Sequence, residues 1–336
     1  MAQVLSIGGG QFMSRYVIDG LVVDGHDVTV MTRGNAPLPF EEGSVDHVEG
    51  DRTDRVAVES AAEAVEPDVV YDFAAMHPAD VEAATELFAD VDAYVCISST
   101  HAYQRTASIP LAEGRTPLMP CNEEQAVDDS YATYGNRKAA NDRVVFAAAE
   151  NGVNAMSVRP TAIYGPHDPT QRQDYWMHRV REHDRIIVPG DEYRMPIHLG
   201  YVKDAARAIR LVAEEGEPGE AYNVAARDHK TFDEYLGTMA EAMDSTVELV
   251  HATDRELSRV GLSVTDFPWC EPYPYIVSTE KLAGLGWEST PHEEAMTEAV
   301  EEHLESDRTG AMHDPGRDEE EELLEALDVE GTFVGE

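Results

Sequence analysis

Val4-Leu-Ser-Ile-Gly8-Gly9-Gly10-Gln11-Phe12-Met13-Ser14-Arg15 sets an apolar, strand-like run directly against three glycines and the start of a helical stretch. A turn of this composition lets the backbone come close to a pyrophosphate, and the helix amino terminus behind it favours the negative charge. The regular GxxGxxG spacing is broken, because Gly8 is followed by Gln11 and Ser14. Taken alone, the cluster reads equally well as a cofactor loop or as a tight turn. The surrounding elements decide its meaning.

Working outward, Phe12–Asp24 reads as a helix, Asp27–Met31 and Val45–Glu49 as strands, and Asp54–Glu66 as a second helix. Val69–Phe73 is the next strand, Ala79–Ala89 a helix, and Ala93–Ser98 a further strand. Ser130–Glu150 is a long helix that leads into the strand Ala155–Val158. Such βαβ alternation implies an α/β fold with a doubly wound parallel sheet and helices on both faces. The second half is less regular. Val202–Glu214 reads as a helix returning to the sheet and Glu220–Val224 as one more strand, while Thr231–Met243 and Pro291–Glu305 are expected in a smaller C-terminal, substrate-side lobe. The expected division is therefore a dinucleotide-binding domain over 1–165, rejoined by 200–226, with 166–199 and 227–305 forming the substrate lobe. Residues 306–336 form an acidic tail, whose Asp318–Leu327 stretch reads as a solvated helix or a disordered segment.

The chain carries 66 acidic against 25 basic residues, a net charge of −41, and only four of the basic residues are lysines (Lys138, Lys203, Lys230, Lys281). Self-repulsion on this scale opposes compaction in dilute salt but is screened once the Debye length falls to about 3 Å in molar salt. The expectation is a halophile's solvation shell. The same charge argues against nucleic acid as a partner. No run approaches the roughly 18 apolar residues of a membrane helix, and no leader pattern follows Met1, so a cytoplasmic location is expected. Cys96, Cys121 and Cys270 are too dispersed for a disulfide framework or a metal knuckle, and no metal site is expected.

The chemistry gathers at predicted strand ends. After the second strand stand Thr32 and Arg33, where an acidic side chain would select an unphosphorylated ribose; a guanidinium suits a 2′-phosphate instead. This leans the cofactor towards NADP over NAD, the alternative being that Arg33 is a plain surface charge. Ser98, Ser99 and Thr100 close the fifth strand, facing the ligand crevice of such sheets. Tyr134 and Lys138 lie four apart on one helix face. A nearby ammonium favours the phenolate, so Tyr134 is the expected proton-exchanging group, with Ser99 bonded to the same substrate oxygen. That Lys138 is a lysine in an arginine-rich chain fits a chemical requirement better than a solvation one.

With these residues in order, the chain resembles the NAD-dependent epimerase/dehydratase family, the extended short-chain dehydrogenase/reductases, over roughly residues 3–305, in an acidic haloarchaeal-type version. The likeness includes Gly50-Asp51-Arg52-Thr53-Asp54, Tyr71-Asp-Phe73-Ala74-Ala75, Arg159-Pro160-Thr-Ala-Ile-Tyr164-Gly165-Pro166, Tyr201-Val202-Lys203-Asp204 and Leu285-Gly286-Trp287. It implies a Rossmann domain whose cofactor is held by Gly8, Gly10, Gln11, Phe12, Met13, Thr32 and Arg33, with Asp51 and Arg52 at the adenine, Ala74 and Ala75 at the ribose, and Pro160 beside the nicotinamide. It also implies a small-molecule substrate, a sugar or nucleotide-sugar hydroxyl oxidised reversibly by hydride transfer, and allows a homodimer through the Ala139–Ala149 helix face. Gln11 and Ser14 depart from the pattern and are expected to narrow the pyrophosphate site or weaken affinity. Ile197 stands where many nucleotide-sugar epimerases carry an arginine, which leaves Thr100, His167, Arg172, Arg194 and His198 as candidate substrate contacts. An NADPH-dependent carbonyl reductase and a non-catalytic, RNA-associated protein of the same fold are the alternatives.

Overall fold

The computed structural model describes residues 1–190, 196–271, 273–327 and 331–335. Its first compact unit comprises residues 1–163, 202–225 and 277–288. Seven strands run through it: β1 (Gln3–Ile7), β2 (Asp27–Thr32), β3 (Asp46–Glu49), β4 (Val69–Asp72), β5 (Ala93–Ile97), β6 (Ala155–Pro160) and β7 (Ala221–Val224). They form one sheet in the order β7-β6-β5-β4-β1-β2-β3, and every pairing is parallel. The expected doubly wound sheet is borne out. The strand order reverses between β1 and β4, so the crevice beyond their carboxyl ends is where ligands of such sheets bind.

Helices α1 (Phe12–Val23), α2 (Arg55–Val65), α3 (Pro78–Leu87), α4 (Tyr134–Glu150) and α5 (Val202–Glu215) cover the sheet. Strands buried on both faces must be apolar along their length, and Val4, Leu5, Ile7, Val70, Tyr94, Val95 and Cys96 are each at most 1 % exposed. Val58 and Ala61 of α2, Val81 and Ala84 of α3, and Val145 of α4 close one side of this core. The buried charged exceptions, Arg159 and Asp72, are paired. Arg159 in β6 donates through Nε to Asp142 on α4 at 2.8 Å and through a guanidinium nitrogen to the Tyr103 hydroxyl at 2.7 Å. Asp72 at the end of β4 accepts from Arg52 at 2.8 Å and from the Tyr94 hydroxyl at 3.0 Å.

The second unit comprises residues 164–201, 226–276 and 289–336. Within it Arg185–Pro189 pairs in parallel with Val247–Ala252, which pairs antiparallel with Thr332–Val334. An eleven-residue helix, Arg172–Glu182, precedes the first of these strands. The acidic stretch near the chain end is the helix Arg317–Leu327, and its Glu320 is buried, accepting from Tyr175 at 3.0 Å and Arg179 at 2.9 Å. Among the described residues no helix is long and apolar enough to cross a membrane, and no cluster of His, Cys, Asp or Glu could hold a metal ion.

Four histidines of this unit, His178, His183, His198 and His292, have their pKa values lowered, in each case chiefly by burial. A histidine with a depressed folded pKa binds fewer protons folded than unfolded, so its contribution to stability is complete above the unfolded value of about 6.5 and declines as the pH drops below it. Denaturant melts in molar KCl, where carboxylate repulsion is screened, should therefore show stability falling as the pH passes below about 6.5. A flat or rising profile over that interval would remove these histidines as the governing groups.

Candidate active site

The glycine turn follows β1. Gly8 and Gly10 take φ of +78° and +84°, a region that L side chains rarely adopt. A Cβ at Gly8 would lie 3.1 Å from the Cβ of Ala74, so the turn and the end of β4 approach as closely as a bare backbone permits. Phe12 also takes a positive φ, +46°, at the first position of α1, a strain typical of ligand-holding turns. Ser14 turns its hydroxyl back into this turn: it donates to the Gln11 carbonyl at 2.6 Å and accepts from the Gln11 amide at 3.3 Å. Gln11 itself is exposed, while Phe12 and Met13 are half-buried. Tight glycines, a twelve-residue helix amino terminus and the strand-order reversal together fit a dinucleotide.

At the end of β2 the Thr32 hydroxyl is engaged by His47 at 2.9 Å, whereas Arg33 is exposed. Asp51 is also exposed, and hydrogen bonds from the Thr53 amide and hydroxyl lower its pKa. Arg52 points inward to Asp72 and to the Asp80 carbonyl, so it braces the end of β4 instead of offering a loose charge. Asp72 in turn accepts from the Ala74 amide at 3.1 Å, fixing the Phe73–Ala75 segment.

Lys138 is buried on α4. Its Nζ donates to the carbonyls of Ala75 and Ile97, both at 2.8 Å, and so sits at the carboxyl ends of the neighbouring strands β4 and β5. Tyr134 lies one turn earlier on the same helix, with Nζ of Lys138 5.8 Å from its ring centre. Ser99, 7 % exposed, caps the short turn Thr100–Ala102 by accepting from the His101 amide at 3.2 Å. Thr100 is fully buried and donates to the Pro160 carbonyl at 3.1 Å, so its hydroxyl serves the junction with β6. The structure thus brings Ser99, Tyr134 and Lys138 into one unit with the glycine turn, Ala74, Ala75 and Pro160.

One residue there escaped the sequence reading. His101 places Nδ1 3.3 Å from the Ser99 hydroxyl oxygen and Nε2 3.2 Å from the Tyr131 hydroxyl, and its ring stands edge-on to Tyr134 at 5.8 Å. Tyr131 stacks on Tyr134 at 5.9 Å. Gly135 permits this approach, since a Cβ there would lie 2.4 Å from the His101 carbonyl oxygen. A histidine two positions past the strand-end serine was the available signal.

In the second unit, His167 faces Glu302 at 3.3 Å, Arg172 opens the helix Arg172–Glu182, and the buried His198 meets the Ala226 carbonyl at 2.8 Å through Nε2. Arg194 lies outside the described residues. Other cations of this stretch are engaged by acids: Arg179 by Asp314 and Glu320, Arg181 by Glu182, and Arg185 by Glu248.

Residues 4–225 match the NAD dependent epimerase/dehydratase family. The chain belongs to that family. Among curated relatives it is 29 % identical over 300 residues to the Chloroplast stem-loop binding protein of 41 kDa b of Arabidopsis thaliana, covering 85 % of this chain and 74 % of that one. It is 24 % identical over 334 residues to the dTDP-D-glucose 4,6-dehydratase of Mus musculus, covering 89 % and 88 %. Among solved structures, dTDP-glucose 4,6-dehydratase from Bacillus anthracis in complex with NAD superposes with a TM-score of 0.70 at 17 % identity, over 90 % of this chain and 96 % of that one. The last likeness bears on the fold alone, which is that of the family's extended short-chain dehydrogenase/reductases.

Proposed function

We propose that this family member is an NAD(P)-dependent oxidoreductase acting reversibly on a sugar or nucleotide-sugar hydroxyl through Ser99, Tyr134 and Lys138. The observation that carries the reading is Lys138 Nζ, buried and held at the carboxyl ends of β4 and β5 by two strand-end carbonyls, one turn from Tyr134. The bound nicotinamide supplies or accepts the hydride. The protein's own work is then to hold the substrate oxygen and to move its proton. Ser99 bonds that oxygen and Tyr134 gives or takes the proton, with the Lys138 ammonium 5.8 Å from its ring centre. Gly8, Gly10, Gln11, Phe12 and Met13 hold the pyrophosphate, Asp51 flanks the adenine with Arg52 bracing the end of β4 behind it, and Ala74, Ala75 and Pro160 line the ribose and nicotinamide. His167, Arg172, Arg194 and His198 are the substrate-side candidates. The family likeness favours NAD retained through an epimerase or dehydratase cycle, while the exposed Arg33 and the engaged Thr32 hydroxyl favour NADP and a carbonyl reductase.

Fluorescence titration with NADH and NADPH side by side, in molar KCl, tests this. Preference for NADPH that Arg33→Ala reverses by about tenfold or more, the value of a charge-assisted contact, assigns the 2′-phosphate to Arg33. Tight NADH binding untouched by Arg33→Ala supports the retained-NAD cycle. The relationship to the stem-loop binding protein supports a second reading, a binding protein without redox chemistry. Binding of neither nucleotide by the folded protein would make that second reading the better one.

A further inference from the structure

We infer that His101 is a positioning residue that carries protons between solvent and the Ser99 hydroxyl by way of Tyr131. This rests on the hydride-transfer reading above and deepens it. When a carbonyl is reduced, its oxygen gains one proton for each hydride that its carbon receives, and the Tyr134 tyrosinate left behind has to be neutralised before the next turnover. Tyr134 itself is half-buried and stacked under Tyr131, whereas Tyr131 is 68 % exposed. A continuous path joins that exposed hydroxyl to the site: Tyr131 hydroxyl to His101 Nε2 at 3.2 Å, then His101 Nδ1 to Ser99 Oγ at 3.3 Å.

A neutral imidazole has one N–H and one bare nitrogen, so it bonds to both hydroxyls in either tautomer. In one, Ser99 donates to Nδ1 and Nε2 donates to Tyr131. In the other, Tyr131 donates to Nε2 and Nδ1 donates to Ser99, leaving the Ser99 hydrogen for the substrate oxygen. Passing from the second to the first moves one proton inwards: Tyr131 gives its proton to Nε2 and regains one from water, while Nδ1 gives its proton to Ser99 as Ser99 gives its own to the oxygen shared with Tyr134. Tyr134 is thereby reprotonated across that oxygen, no charge accumulates on the ring, and the reverse sequence serves oxidation. The backbone is set for this. Ser99 accepts from the His101 amide at 3.2 Å, and Gly135 lets the first turn of α4 press on the His101 carbonyl.

The test begins without substrate, using nitrogen–proton correlation spectra of the full chain carrying isotope-labelled histidine. Both tautomers of His101 should be populated, and Tyr131→Phe, which keeps the ring stack and deletes the hydroxyl, should shift the ratio towards one. An unchanged ratio overturns the relay. The second arm follows reduction of phenanthrenequinone, a diketone needing no sugar recognition, with the preferred nicotinamide. His101→Gln should lower kcat about 10²-fold, the scale of a positioned proton carrier, with KM and cofactor affinity unchanged and partial rescue by free imidazole. An inactive Tyr134→Phe beside a fully active His101→Gln removes the relay alone. A fully active Tyr134→Phe removes the hydride-transfer reading and the relay with it.

Discussion

Tyr134→Phe is expected to slow hydride transfer by about 10²–10⁴-fold, the range that a positioned general acid–base group contributes, while leaving nicotinamide binding intact. The substitution removes one oxygen and keeps the ring, so the stack with Tyr131 at 5.9 Å and the edge contact with His101 at 5.8 Å survive. Lys138 does not depend on that hydroxyl for its place, because Nζ is held by the carbonyls of Ala75 and Ile97. A loss of turnover in the Phe variant is therefore a chemical loss, provided that its melting transition and cofactor titration match those of the parent protein. Loss of binding together with rate would point instead to a structural role for the hydroxyl. Unchanged turnover would leave the family's tyrosine without chemical work here.

Asp142→Ala should produce the largest loss of stability, on the order of 3–5 kcal/mol, the cost of stranding one charge of a buried pair. Asp142 is fully buried and Arg159 is 2 % exposed, and the pair joins α4 to β6. Burial works against the Arg159 charge, yet Asp142 and Tyr103 together hold its pKa above the ordinary value. In the variant Arg159 would keep its bond to Tyr103 and its contacts with the Tyr103 and Phe146 rings, at 4.8 and 5.8 Å, but no opposite charge from Asp142. Burial pushes the Tyr103 pKa up to about 12, so this neighbour stays a neutral phenol that cannot replace the lost carboxylate. Denaturant melts should also find Asp142→Leu with Arg159→Met less destabilised than Asp142→Ala, since replacing both charges leaves none buried. A double variant as unstable as the sum of the single ones would mean that packing, not charge, dominates the site. Asp142 stands one helical turn beyond Lys138 and Arg159 immediately before Pro160, so this pair also sets the footing of the proposed site.

The parallel sheet was legible because its central strands are largely apolar and helices alternate with most of them. The helix read as Phe12–Asp24 spans Phe12–Val23, and that read from Ser130 begins at Tyr134 after a short turn, Tyr131–Thr133. The second unit was harder. The helix Arg172–Glu182 buries Gln173, Asp174 and Arg179 beside Tyr175, Trp176 and Met177, so its inward face carries no apolar periodicity. Glu320 misled in the same manner: a carboxylate in an acidic run reads as solvated, and only the fold reveals Arg179 beside it. Tyr134 and Lys138 could be read because one helix carries both at a fixed spacing. His101 offered a weaker signal, its place two residues past Ser99, since its second partner, Tyr131, lies thirty residues on and reaches it only in the fold.

The first unit is not made from one continuous length of chain, and this has a consequence for synthesis. β6 ends at Pro160, but β7, which pairs along its outer side, begins only at Ala221. At cellular elongation rates of about 5–20 residues per second, that edge waits roughly 3–12 s for its neighbour to leave the ribosome. During this wait Ala155–Pro160 is an open template for another nascent chain on the same message. Slow codons placed between the two strands would lengthen the exposure, and a fragment ending before Ala221 would make it permanent.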